Sequence, residues 1–126
     1  MVHRPLNLGP LPAAAIRAAI GLDLAPGLVH FSSRAQDHAE GRHPADFALC
    51  LRHVGQVVAA PDYIGQGPGR ADGFELIGEA VAEGALVLVA IKVRPDRHGR
   101  YFVASTYPIA RATLENRLRK GFLVPA

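Results

Sequence analysis

The stretch HFSSRAQDHAEGRHP, residues 30 to 44, places His30, His38 and His43 among Ser32, Ser33, Arg34, Asp37, Glu40 and Arg42. Imidazoles in such company suit proton transfer near neutral pH, metal ligation, or a solvated helical face. A zinc site needs at least three ligands, usually in close pairs. His38-x4-His43 with one cysteine, Cys50, supplies only part of such a set, so neither a metal nor another cofactor is expected. A serine-hydrolase reading fails as well, because no Gly-x-Ser-x-Gly turn exists to present a nucleophile.

Metal-independent RNA cleavage asks for simpler parts. A base takes the 2′-hydroxyl proton, an acid protonates the departing 5′-oxygen, and cations or hydroxyl donors stabilise the charge that builds on phosphorus. His30, His38 and His43 could transfer the protons. Ser105, Thr106 and Tyr107, with Arg111 beyond them, offer hydroxyls and charge near the end of the chain. On one continuous helix His38 and His43 would point roughly 140° apart. A break between Gly41 and Pro44 would release His43 to point elsewhere, since a residue before proline is pushed out of helical conformation. Without it, Arg34, Asp37, His38 and Glu40 form an ordinary wet helical face.

The elements that must position these groups follow from pattern and punctuation. Leu11 to Ile20 reads as a short helix opened by Pro12, and Pro26-Gly27 breaks it from a short strand, Leu28 to Phe31. Ser32 or Ser33 caps a helix through Arg34 to Glu40 that stops at Gly41. Pro44 opens the next helix, in which Phe47, Cys50, Leu51, Val54, Val57 and Val58 repeat at the spacing of one buried face. Cys50 is thereby a buried structural thiol, and His53 lies off that face, in water.

Pro61 to Gly73 is rich in glycine and proline and reads as a loop. Strands are expected at Phe74 to Val81, Ala85 to Val93 and Tyr101 to Tyr107, joined by short turns that favour an antiparallel meander. Alternation in the last strand puts Phe102 and Ala104 in the core with Thr106, and turns Ser105 and Tyr107 outward. Pro108 starts a final helix that Gly121 ends. The sum is a single α+β domain, residues 1–126: a 1–27 extension with a short helix, then N-terminal helices packed on a three- or four-stranded antiparallel sheet with a C-terminal helix.

Charge is placed unevenly. Residues 1 to 91 hold six Lys/Arg against nine Asp/Glu, whereas residues 92 to 126 hold eight against two. A basic end of this kind attracts phosphates or carboxylates, as in a nucleic acid or an acidic protein. The longest apolar run, Ala85 to Ile91, is too short to cross a bilayer, and Met1 to Leu11 lacks the apolar core of a signal peptide, so no membrane partner is expected.

Taken in order, "VHFS", "QDHAEGRHP", "VVAAPDYIG", "LVLVAIKV" and "YFVASTYPI" resemble the small nuclease domains of the barnase, EndoU, colicin-tRNase and RelE-like group, above all its phage- and polymorphic-toxin-associated branches. The likeness spans roughly residues 28 to 120. It implies an α+β fold and metal-independent cleavage of tRNA or mRNA in a cell's cytoplasm, by a toxin restrained by an acidic inhibitor such as an immunity protein or antitoxin. Carried over by position, His38 and His43 match the polar helix residues, and Ser105, Thr106 and Tyr107 the hydroxyl-bearing strand end. Lys92, Arg94 and Arg111 would contact phosphate, and His30 the substrate. The chain lacks an obvious His-His-Lys set at EndoU-like positions, which leaves acid and base unassigned.

Two other readings stand beside this one. A binding module of the same fold without catalysis would bind in a salt-sensitive way and release no product. An ADP-ribosyltransferase is suggested by "ASTY", but no Glu-x-Glu follows and Glu115 stands alone.

Overall fold

A computed structural model describes residues 3–67, 69 and 71–126. Its frame is one mixed sheet in the order β1-β2-β6-β5-β4-β3-β7. The strands are β1 (Leu6–Pro10), β2 (Leu28–Phe31), β3 (Tyr63–Gly65), β4 (Gly73–Ala80), β5 (Ala85–Lys92), β6 (Tyr101–Ile109) and β7 (Leu123–Pro125). The helices are α1 (Ala13–Ile20), α2 (Ser33–Arg42), α3 (Phe47–Ala59) and α4 (Arg111–Arg119). Among the described residues no helix is long and apolar enough to cross a membrane.

The meander β4-β5-β6 is the expected antiparallel unit, but four more strands extend it. The antiparallel pair β1-β2 joins one side, with β2 running parallel to β6, and β3 and β7 complete the other. The expectation of a three- or four-stranded antiparallel sheet is therefore corrected to seven strands of mixed sense. The added β1, β3 and β7 are short strands carrying Pro or Gly, which leave little alternation to read. The parallel β2-β6 pair joins distant segments, so local spacing is silent about it. Residues expected in an N-terminal extension thus supply a sheet edge, and the expected loop Pro61 to Gly73 contains β3.

Alternation divides the sheet's residues between two cores. On one face Phe74, Leu76, Val87, Val89 and Ile91 pack with Val54, Val57 and Val58 of α3 and Ile16 of α1. On the other Ile77, Leu86 and Leu88 pack with Leu114 of α4 and Leu123 of β7. The first core demands a glycine: a Cβ at Gly78 would stand 2.7 Å from Val57 Cγ2, so α3 lies directly on the β4 backbone.

Strand β6 does not keep its parity. Ala90 pairs with Ser105, yet the next residue, Ile91, pairs with Val103, so Ala104 is the extra residue of a bulge. Before the bulge Tyr101 and Val103 are buried on the α3 side, and after it Thr106 is. The expected core pair Phe102 and Ala104 is corrected: both are half-buried on the opposite face, and Tyr101 and Val103 take their place.

Helix α2 begins as expected, with the Ser32 hydroxyl accepting the Ala35 amide at 3.1 Å. It runs through Gly41 to Arg42 and ends at His43, and α3 starts at Phe47 instead of Pro44. The α2 side facing the body is closed by Gln36, which is buried and donates its amide to the Arg4 and Phe31 carbonyls at 2.6 and 3.0 Å.

Candidate active site

The α4 face of the sheet carries polar groups where its apolar core stops. Along β5 the residues sharing the face of Leu86 and Leu88 are Ala90 and then Lys92, which is exposed at the strand end. Register places Glu75 of β4 beside Ala90 and Gly73 beside Lys92. On the other side of β5, β6 presents Phe102, the bulged Ala104 and Tyr107. The floor is a short platform of Ala90 and Ala104 with Lys92, Glu75 and Tyr107 around it.

Two walls rise from that floor. Helix α4 brings Arg117 over β4, where its guanidinium donates to Glu75 Oε1 at 2.9 Å. Helix α2 forms the opposite wall with Arg34 and His38. At its end the His43 amide still donates to the Ala39 carbonyl, but the backbone has left the helix at φ −136° and ψ 63°, as Pro44 requires. The turned-out imidazole stacks on Tyr107, with ring centroids 5.2 Å apart and planes inclined by 25°.

Two hollows meet between the walls. One, of about 400 Å³, lies towards α4 and is lined by Asp72, Glu75, Lys92, Tyr107, Arg117 and Phe122 among others. The second, of about 530 Å³, lies towards α2 between His38, Arg34 and Phe102. Lys92 and Ala104 border both. Among the described residues Lys92 has no acidic partner within ion-pair distance, so its charge is available to a ligand.

The structure thus gathers His38, His43, Tyr107 and Lys92 from the residues singled out in the sequence. The others lie elsewhere. Thr106 is buried and its hydroxyl donates to the Leu88 carbonyl at 2.8 Å, a bond that holds it inside the core. Ser105 sits half-buried at the bulge and lines neither hollow. Arg94 is exposed beyond β5, and Arg111 pairs with Glu79. His30 stands next to Phe102 with centroids 6.1 Å apart, its Nε2 buried and without a hydrogen-bond partner among the described residues. Cys50 is buried as expected; burial pushes its thiol pKa up, against a hydrogen bond with Thr106 that pulls it down.

Other histidines serve structure. His3 bonds Glu40 at 2.8 Å and packs on Phe47, while His53 is half-buried and bonds Glu83 at 2.9 Å. Sequence reasoning missed Glu75, Arg117 and Phe102. The parity of β4 and β5 could have paired Glu75 with Lys92 on one face, but Arg117 depends on where α4 docks. Among the described residues no group of three or more His, Cys, Asp or Glu side chains is arranged to hold a metal ion.

A family model described as phage-Barnase-EndoU-ColicinE5/D-RelE like nuclease3 matches residues 7–116, from β1 into α4, and so includes every group that lines the two hollows except Arg117 and Phe122. No curated protein and no solved structure matches the chain.

Proposed function

The chain belongs to the phage Barnase-EndoU-ColicinE5/D-RelE like nuclease family, and from that premise we propose that it is a metal-independent endoribonuclease that cleaves tRNA or mRNA by attack of the 2′-hydroxyl, leaving 2′,3′-cyclic phosphate ends. The observation that carries the reading is the stacking of His43 on Tyr107 at the edge of a cleft whose floor presents Lys92. An imidazole held by a ring face keeps both nitrogens free for proton transfer, which suits a base or an acid working near neutral pH. The Lys92 ammonium stands where two hollows meet, the natural place for the scissile phosphate, and would stabilise the charge that grows on its oxygens. His38, on the α2 wall, supplies the second imidazole.

The cations around the cleft also suit an acidic protein inhibitor, and the reading extends to a toxin that acts in the cytoplasm and is silenced by such a partner. The test is incubation of wild type and His43→Ala with total tRNA and a long RNA in EDTA, followed by end-group analysis. Fragments with cyclic phosphate ends from wild type alone support the assignment. Intact RNA with folded wild type refutes it in favour of a non-catalytic binding module.

A further inference from the structure

Phe102 is an aromatic side chain on the wrong face for the core. It stands half-buried in the floor of the hollow beside α2, on the open side of the sheet. The Arg100 guanidinium lies over the Phe102 ring at 5.7 Å from its centroid. Arg100 is itself fixed by Asp96, which accepts from its Nε at 2.8 Å and from its backbone amide at 2.9 Å. Across the hollow stand Arg34 and His38, and Lys92 closes the side towards the other hollow. None of the described residues lining this space is acidic.

An apolar ring face flanked by cations in a space without carboxylates matches an unstacked nucleobase whose backbone is anionic. Every base has a π-face, and proteins that hold single strands combine aromatic platforms with a positive groove. We propose that Phe102 is the stacking platform of a nucleotide subsite, which takes the base on one side of the phosphate held at Lys92. This rests on the ribonuclease reading for the phosphate's position and extends it to the substrate: a single-stranded or looped RNA with that base splayed out. A paired base has no free face to offer, so duplex RNA is excluded from the subsite.

The test uses the full chain and three variants, Phe102→Ala, Phe102→Leu and Phe102→Tyr, each checked for its folded far-UV spectrum and melting temperature. Initial rates are measured on a short single-stranded RNA with one cleavable linkage, and on versions with an abasic residue on its 5′ or its 3′ side. Phe102→Ala and Phe102→Leu are expected to lower kcat/KM about tenfold on the intact substrate, Phe102→Tyr to keep it, and one abasic substrate to be insensitive to all three changes. An equal loss on every substrate, or no loss at all, would overturn the subsite.

Binding of an uncleavable 2′-O-methyl oligonucleotide, followed by fluorescence anisotropy, separates this failure from that of the ribonuclease reading. If wild type cleaves nothing but Phe102→Leu weakens binding about tenfold while Phe102→Tyr does not, the subsite stands and only the chemistry falls. Equal binding by all variants sinks the subsite whatever the activity.

Discussion

His43 and Tyr107 stack with centroids 5.2 Å apart although one ends α2 and the other lies beyond the bulge of β6. Two local irregularities make the contact. Pro44 turns His43 out of its helix, and the extra residue at Ala104 turns Tyr107 to the cleft face in place of Thr106.

Removal of the imidazole tests the first half of that contact. His43→Ala should lower RNA cleavage by about 10²- to 10⁴-fold, the usual contribution of a positioned acid or base, with its melting temperature little changed. Tyr107→Phe keeps the stack and loses only the hydroxyl. Gel kinetics of the two variants side by side will show whether Tyr107 acts through its ring or its oxygen; a Tyr107→Phe rate near wild type assigns it the positioning role.

Lys92 should differ from the other cations. Lys92→Ala is expected to lower kcat strongly, because in the proposed reaction an ammonium at the junction of the hollows would face the charge of the transition state. Arg94→Ala should weaken RNA binding evenly across sequences and reduce the salt-dependence slope by about one, with kcat near wild type. Cleavage rates at saturating RNA, measured at several salt concentrations, check both.

Thr106 should prove structural. Thr106→Val keeps the shape but removes a buried donor from the Leu88 carbonyl, an expected loss of about 1–3 kcal/mol in urea unfolding. The folded fraction should retain its cleavage rate, which would not hold if the hydroxyl touched the reacting atoms.

The turn before β6 should be acid-sensitive. Hydrogen bonds from the Arg100 amide, and then from its side chain and the His98 amide, lower the Asp96 pKa from 3.8 to about 2. A depressed carboxyl stabilises the fold above its unfolded pKa and loses that contribution as pH falls through about 2. The melting-temperature gap between wild type and Asp96→Asn should therefore be full at pH 6 and narrow steadily from pH 4 to pH 2. A gap that does not change with pH would mean that the Asp96 charge contributes nothing.

Much of this fold is legible in the sequence alone. The apolar face of α3 was legible because Phe47, Cys50, Val54, Val57 and Val58 repeat at helical spacing and are all buried. The Ser32 cap and the meander were legible from local chemistry in the same way. His43 was legible as a candidate because Pro44 constrains its backbone. What escaped depends on distant packing. One inserted residue in β6 exchanged the roles of Phe102 and Tyr101, and no local spacing marks a bulge. Glu75 and Arg117 meet only because α4 folds back over β4, so neither carries a signal of the other.

The parallel pairing of β2 with β6 has a consequence for folding. Val29 and His30 lie against Tyr101 and Phe102, and the Tyr101 hydroxyl closes the same junction by donating to the Ala25 carbonyl, 76 positions away. The wall that carries the histidines and the floor beneath it are thus distant in sequence, so the β2–β6 pairing closes a long loop whose entropy cost must be met before the contact rewards it. Until that pairing closes, His38 and His43 have no Lys92 or Tyr107 beneath them, and the cleft exists only in a chain whose distant contacts are already made.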